Sequence, residues 1–243
     1  MTDVRILAFD TSGPHCAASL LVGGEIIWSH QEAMKKGQAE RLMPLLEGAL
    51  SENGIGWPEI DAIGVGVGPG NFTGVRIAVS AARGLVLAMR KPAIGVTLFE
   101  ALRGREWFGD TALQYVVAPS SRRGNDVIAQ RFSGARPVGD VLEGAFDPAD
   151  GGDKLAIPVS ADPHSTLGPQ DLAERFSEFS KGGSGPTRHA EFSDEPDQRL
   201  TDRIAHVAAL KLASGEAIAR PAPLYIRPAD AAPPSDLPPV ILG

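Results

Sequence analysis

Two short segments of the chain carry residue types that can bind a phosphate or another anion. Asp10-Thr11-Ser12 places a carboxylate and two hydroxyls directly after an apolar run, and residues 68–74 read G-P-G-N-F-T-G. Glycines let the backbone approach a ligand closely, and the N–H groups that begin a following helix attract negative charge. A plain turn explains each segment as well, so both interpretations stay open. The candidate loop residues are Asp10, Thr11, Ser12, Gly68, Pro69, Gly70, Asn71, Phe72, Thr73, Gly74 and Arg76.

The glycine segment matches neither standard nucleotide-binding motif. A G-x-G-x-x-G motif needs glycine where Pro69 or Asn71 stands, and no lysine follows as a P-loop requires. The sequence also contains no pattern that is typical of a metal site or of a catalytic nucleophile. The five histidines form no i, i+4 pair, Cys16 is the single cysteine, and neither Ser121 nor Ser184 lies in G-x-S-x-G. We therefore expect no metal site and no catalytic residue in this chain.

Three strands are predicted around the first segment. Residues 4–9 are apolar apart from Arg5, which predicts a buried strand that ends at Asp10. Two more strands, Cys16–Val22 and Glu25–His30, are joined by Gly23-Gly24, a two-residue hairpin signal. The first segment therefore follows a strand at its carboxyl end, which is where α/β sheets place ligands.

The strand that leads into the second segment is predicted to have one helix before it and one after it. In residues 38–52, apolar side chains recur at the spacing of one helical face. A strand over 63–67 follows, and then a helix over Gly74–Met89 with Thr73 as its N-cap candidate. The apolar face of the first helix comprises Leu42, Leu45, Leu46, Ala49 and Leu50. The remaining elements of this region are a strand at Ala93–Val96 and a helix at Leu98–Arg103.

This order of elements predicts an α/β fold. The series βββαβαβ before residue 104 indicates a mixed five-stranded sheet flanked by helices, the ribonuclease-H-like pattern. Farther along, Leu113–Ala118 and Asp126–Phe132 predict paired strands, whereas the acidic and glycine-rich Asp140–Asp153 predicts a surface loop. The last predicted helix covers Leu200–Ala219. Two weaker patterns predict a strand at Leu155–Val159 and a helix at Pro169–Phe179.

The composition of the chain indicates which partners and which cellular compartment to expect. The 243 residues carry a formal net charge of −7 at pH 7, whereas a chain that binds nucleic acid by itself usually shows a basic surface. A single cysteine suits a reducing compartment. The N-terminal residues do not resemble a signal peptide, and no run approaches the ~18 apolar residues of a membrane span. These features predict a cytoplasmic protein without a membrane contact.

Three motifs together resemble the bacterial TsaB family. They are I-L-A-F-D-T-S at residues 6–12, G-V-G-P-G-N-F-T-G-V-R-I at 66–77 and P-L-Y-I-R-P at 223–228. The resemblance implies the fold of the sugar-kinase and actin-like ATPase superfamily, with two ribonuclease-H-like lobes of which the second is reduced. On that fold we expect a first lobe over residues 1–103, a second over 104–228 and a proline-rich tail over 229–243. The helix at 200–219 is a candidate to pack back on the first lobe.

The resemblance also implies a function. The family is the accessory subunit of the complex that forms N6-threonylcarbamoyladenosine in transfer RNAs reading codons that begin with adenosine. We therefore expect a scaffold without catalytic residues, bound to a homologous catalytic TsaD-like subunit and a small TsaE-like ATPase subunit. ATP and a metal ion are expected in the catalytic partner, with no cofactor bound by this chain alone. The chain is expected to form a homodimer when alone, and to meet transfer RNA through the complex.

Two departures bear on this expectation. The catalytic relative binds its metal through H-x-x-x-H on the first long helix, where this chain has Gln38-Ala39-Glu40-Arg41-Leu42, as suits a non-catalytic paralogue. The family's D-A-R-R segment is Ser120-Ser121-Arg122-Arg123 here. The second hypothesis is a small-molecule kinase or ATPase of the same superfamily, with residues 10–12 and 68–74 as phosphate loops.

The helix predicted over Gly74–Met89 is rich in small and apolar residues. Only Arg76, Ser80 and Arg83 are polar before Arg90, so apolar surface should remain after the helix has covered its own sheet. We expect this helix and the one at 38–52 to contact the partner or a second copy. The alternative is a helix buried within its own chain. The candidate interface residues are Leu42, Ala78, Ala81, Ala82 and Leu85.

Overall fold

The first sheet is a mixed sheet of five strands, as the sequence predicts. The computed structural model describes residues 3–103, 113–119, 126–133, 136–145 and 200–226. Strands β1, β2 and β3 pair antiparallel, whereas β1, β4 and β5 pair parallel, in the order β3-β2-β1-β4-β5. The strands are β1 (Arg5–Asp10), β2 (His15–Val22), β3 (Glu25–Ala33), β4 (Ala62–Gly66) and β5 (Ala93–Val96).

Helices cover both faces of this sheet. Alternate residues of β1 point to opposite faces, so Leu7 and Phe9 pack with one set of helices and Ile6 and Ala8 with another. On the first face lie α1 (Gln38–Glu52) and α2 (Phe72–Met89). All five residues of the predicted apolar face of α1 are buried. A short helix, α3 (Leu98–Arg103), follows β5.

The second face is covered by α4 (Leu200–Ala213), which packs back on the first sheet. The helix is shorter than predicted because Gly215 adopts a φ of 68°, a left-handed conformation that ends the helical path. Polar contacts fix it at several points. The Ser29 hydroxyl donates to Asp202 at 2.6 Å, and Lys211 Nζ donates to the carbonyl oxygen of Gly95 at 2.8 Å and pairs with Glu100 at 2.7 Å.

A second sheet contains three antiparallel strands in the order β6-β7-β8: β6 (Leu113–Pro119), β7 (Asp126–Ser133) and β8 (Arg136–Ala145). The pairing of β6 with β7 is as predicted. The surface loop expected over residues 140–153 is wrong for 140–145, which pair with β7. The elements predicted at 155–159 and 169–179 and the Ser120–Arg123 segment lie outside the described residues, and the domain boundaries stay a prediction.

The membrane expectation needs a correction at α2. Within the described part of the chain, α2 is the one helix long and apolar enough to cross a membrane, judged by length and composition alone. The same helix packs on the sheet through Val75, Ala78, Val79 and Ala82, as the core helix of a globular domain does.

Candidate functional site

The two segments singled out in the sequence lie side by side. They follow β1 and β4, which pair parallel with Leu7 opposite Ile63 and Phe9 opposite Val65. Because parallel neighbours end at the same edge of a sheet, the loop at residues 10–12 meets the loop at 68–74. The structure therefore brings the predicted loop residues together.

The two loops close on each other. The N–H of Asn71 donates to the carbonyl oxygen of Ser12 at 2.6 Å, and the Thr11 hydroxyl donates to the carbonyl oxygen of Gly74 at 2.7 Å. A Cβ at Gly74 would overlap the Thr11 carbonyl, and one at Gly70 would lie 2.6 Å from the Ser12 oxygen. The glycines thus let one loop pack directly on the other, and the chain itself fills the place between them.

Within the glycine loop, positive φ occurs at Gly68 and not at Gly70. Gly68 adopts a φ of 89° and Pro69 follows it through a cis peptide bond, whereas Gly70 is not among the residues with positive φ. The constraint on Gly70 is therefore the nearby Ser12 backbone, not an unusual dihedral angle.

Asp10 is buried, and its Oδ2 is bound by groups of its own chain. Its Oδ2 accepts hydrogen bonds from the backbone N–H of Ser12 at 2.9 Å and from the Ser12 hydroxyl at 2.8 Å. Nε2 of His15 lies 2.8 Å from the same oxygen. On the other side, a Cβ at Gly66 would overlap Asp10 Oδ1. This arrangement is the satisfied turn that the sequence left as an alternative. The His15 contact was not expected from the sequence.

The N-terminus of α2 is capped by Asn71, not by Thr73. The helix begins at Phe72, and Asn71 Oδ1 accepts from the N–H of Gly74 at 3.0 Å. Thr73 lies exposed in the first turn. Capping by Asn71 occupies an N–H group that an anion would otherwise bind. Among the described residues, no three His, Cys, Asp or Glu side chains converge as a metal site would require.

A cluster at the N-terminal end of α2 was missed by the sequence analysis. The Arg76 guanidinium lies over the Phe72 ring at 3.7 Å, and its Nε donates to the Tyr225 hydroxyl at 2.9 Å. The rings of Phe72 and Tyr225 are 4.9 Å apart. Arg83, farther along α2, donates from Nε to the carbonyl oxygen of Pro221 at 2.8 Å.

The candidate interface residues do not share one environment. Leu42, Ala78 and Ala82 are at most 1% exposed and belong to the core of the chain, because they face the sheet. Ala81 and Leu85 are partly buried. A partner that met α2 would instead touch its outer face, which consists of Thr73, Arg76, Ser80, Gly84, Leu87 and Ala88. Leu87 on that face is 82% exposed.

The two helices of this layer differ in charge, because α2 carries arginines and α1 carries exposed glutamates. α2 contains no Asp or Glu, and its arginines at 76 and 83 are followed by Arg90 at its C-cap. A spacing of seven residues keeps successive arginines on one side of the helix and about 10.5 Å apart along its axis. On α1, Glu40 and Glu47 are exposed at the same spacing.

Comparisons with known proteins place the chain in a family. Residues 26–159, more than half of the chain, match the family described as TsaD: tRNA N6-adenosine threonylcarbamoyltransferase. The tRNA threonylcarbamoyladenosine biosynthesis protein TsaB of Escherichia coli (strain K12) is 33% identical over 121 residues. The chain belongs to the TsaB family. That match covers 50% of this chain and 52% of the relative, so the chain spans about half the length of the curated protein that it matches.

Solved structures extend the TsaB likeness to most of the chain. YeaZ from Pseudomonas aeruginosa is 25% identical with a TM-score of 0.57, covering 91% of this chain and 99% of that one. A ROK hexokinase from Thermus thermophilus is 14% identical with a TM-score of 0.53, covering 87% of this chain and 100% of that one, which shows the fold alone. The TsaB family fold is therefore the TsaD-like and sugar-kinase-like α/β fold that the sequence motifs imply.

Proposed function

We propose that this chain is a non-catalytic accessory subunit in the formation of N6-threonylcarbamoyladenosine in transfer RNA. The curated relative named for that pathway and the matching family support the pathway. The observation that carries the accessory role is the contact between the two loops. Where a kinase of this superfamily would hold a phosphate, Thr11 and Ser12 pack on Gly70 and Gly74.

The same proposal assigns the chemistry to a partner. Asp10 is held by Ser12 and His15, and the N–H of Gly74 by Asn71, so these groups are engaged before any ligand arrives. ATP and a metal ion are then bound by a homologous TsaD-like subunit. A small TsaE-like ATPase subunit joins the complex, transfer RNA is reached through it, and the whole assembly works in the cytoplasm.

The outer face of α2 and the neighbouring face of α1 form the proposed binding surface for the homologous subunit. Gly84 has no heavy atom within 4 Å of an added Cβ, and Leu87 is largely exposed, so another helix can approach closely. Exposed Glu40 and Glu47 on α1, together with the arginines of α2, make the surface self-complementary in charge. For that reason a second copy is the expected occupant when the catalytic partner is missing.

The test places a charge on that surface. Gly84→Arg has room to fold, and an unpaired guanidinium in an apolar contact should weaken association at least about a hundredfold. Ala213→Arg, at the exposed end of α4 on the opposite side of the sheet, is the matched control. We would measure sedimentation of the protein alone and co-purification with the TsaD-like subunit. Unchanged association of a folded Gly84→Arg variant would refute the surface.

A second measurement tests the accessory role directly. The purified chain, proven free of the catalytic subunit, is expected neither to hydrolyse peptides nor to transfer threonylcarbamoyl groups. Titration with ATP·Mg²⁺ distinguishes the kinase hypothesis. Tight binding with turnover by the isolated chain would mean that the two loops open to admit a nucleotide, and the accessory role would be wrong.

A further inference from the structure

The segment after α4 crosses three parts of the molecule. Leu224 donates its N–H to the carbonyl oxygen of Val67, at the entrance to the glycine loop, at 2.8 Å. The carbonyl oxygen of Leu224 would lie 3.2 Å from a Cβ on Gly68. Leu224 and Ile226 also pack against the buried cluster that contains Phe99 of α3 and two side chains of β7. Residues 221–226, which we call the strap, thus join the glycine loop to the second sheet.

The strap also holds the two arginines on the side of α2. The Pro221 carbonyl accepts from Nε of Arg83, and the Tyr225 hydroxyl accepts from Nε of Arg76. The Arg76 guanidinium stacks on the Phe72 ring, with its carbon 3.7 Å from that ring centre, and the Tyr225 ring lies beside them, its centre 5.9 Å from the same carbon. Arg76 is exposed and Tyr225 is 40% exposed, so this cluster lies at the edge of the surface assigned to the partner.

Contacts on an exposed arginine contribute little to the stability of the fold, because water screens the charge and the free side chain is already well solvated. Their larger effect is on the side chain's freedom. A free arginine occupies many rotamers, and binding must freeze them. A guanidinium already held at Nε and stacked on one ring presents its remaining N–H groups in one direction, ready for a carboxylate.

We propose that Tyr225 is a positioning residue for association, and that the strap pre-orients Arg76 for a carboxylate of the homologous TsaD-like subunit. The inference rests on the proposed function, since it needs that subunit to bind the α1/α2 surface. Charge favours a carboxylate at this position, because α2 carries arginines and no acidic residue. In this arrangement the strap links the partner-binding edge to the core of the second sheet through Leu224.

The test is a double-mutant cycle on the full chain, with the TsaD-like subunit of the same organism as the binding probe. Tyr225→Ala and Arg76→Ala are each expected to raise the Kd about tenfold, with the thermal unfolding midpoint nearly unchanged. Because Tyr225 acts through Arg76, the double variant should bind no more weakly than Arg76→Ala alone. Ile218→Ala, exposed in the same segment but before the strap, is the control.

Two results would overturn the strap proposal while leaving the proposed function intact. One is a Tyr225→Ala variant that binds as tightly as the wild type. The other is a double variant whose loss is the product of the two single losses, about a hundredfold, because the two side chains would then act independently. If the wild-type chain does not bind the TsaD-like subunit at all, the proposed function fails and the strap proposal fails with it.

Discussion

The two long helices on opposite sides of the first sheet, α2 and α4, are held in different ways. From residue 200 to residue 212, every side chain of α4 is at least partly buried. Its polar residues face the sheet: Asp202 accepts a hydrogen bond from Ser29 of β3, and Lys211 donates one to the carbonyl oxygen of Gly95 in β5. α2 buries one face through Val75, Ala78, Val79 and Ala82, and its polar arginines bond sideways to the strap.

The difference indicates what each helix is for. α4 completes the fold, because residues 200–212 are all at least partly buried and little of the helix remains for another molecule. α2 completes the fold with one face and leaves in solvent a second face of mostly small residues, on which Arg76 lies and Leu87 is 82% exposed. Apolar surface of that kind is typical of contact sites. Substitutions on the two helices should therefore separate stability from association.

The largest effect is expected where α4 meets the sheet. A Cβ on Gly64 would lie 3.1 Å from the Cβ of Ala208 and 3.2 Å from that of Ala8. Gly64→Val should push α4 outward and lower the free energy of unfolding by about 3 kcal/mol, measured by urea denaturation. The matched control is Gly84→Val on the outer face of α2, which should change stability by less than about 0.5 kcal/mol. Equal losses in both variants would remove the contrast between the helices.

The next effect concerns the polar attachment of α4. Asp202 accepts hydrogen bonds from Ser19 and Ser29, and the Ser19 and Thr201 hydroxyl oxygens lie 2.7 Å apart. Asp202→Ala should lower the free energy of unfolding by about 2 kcal/mol, because buried hydroxyls lose their acceptor. Asp140→Ala, at an exposed position of β8, is the control. A variant as stable as the wild type would mean that packing alone positions α4.

A smaller effect, on association and not on stability, is expected at Leu87. Leu87→Ala should leave the unfolding midpoint nearly unchanged, because the side chain is 82% exposed. It should weaken self-association or binding of the TsaD-like subunit about fivefold, as loss of a peripheral contact does. Ile27→Ala on β3, where Ile27 is 44% exposed, provides the comparison. Loss of stability at Leu87 without loss of association would reverse the roles assigned to the two faces of α2.

The smallest effect is a pH dependence beside α1. A hydrogen bond from Arg41 lowers the pKa of the Glu32 carboxyl below its ordinary 4.5. A carboxyl with a lowered pKa stabilises the fold above its unfolded-state pKa and loses that contribution as the pH falls through the folded value. Glu32→Gln should therefore be slightly less stable than the wild type at about pH 7, with the difference shrinking as the pH falls below the ordinary carboxyl pKa of 4.5. A difference that grows in acid would contradict the assignment.

Local signals predicted the elements that depend on local chemistry. The apolar face of α1, with Leu42 and Leu46 at helical spacing, is buried as expected. Gly23 and Gly24 form the expected hairpin, with φ of 61° and 95°. The helix N-cap was misassigned because Asn71 and Thr73 are both good capping residues, and only the backbone path decides between them.

Contacts between distant residues lay beyond the sequence patterns. Residues 140–145 resemble a loop in composition, yet pairing with β7 makes them a strand, since tertiary context overrides weak β-propensity. Arg76 and Tyr225 are 149 positions apart, and no spacing in the sequence connects them. The proximity of the loops after β1 and β4 was predictable because parallel strands end at one edge. The direct packing of one loop on the other was not predictable, since it depends on how closely the backbone of residues 11–12 approaches Gly70 and Gly74.

The position of α4 has a consequence for how the chain is made. Ile6, Ala8 and Ile94 on the back of the sheet are covered by α4, whose residues begin at Leu200. Ribosomes add about 5–20 residues per second, so the sheet is synthesised roughly 5–20 s before the helix that covers it. During that interval the nascent first sheet carries a bare apolar surface. We expect a chaperone at the ribosome exit to hold this surface until α4 emerges.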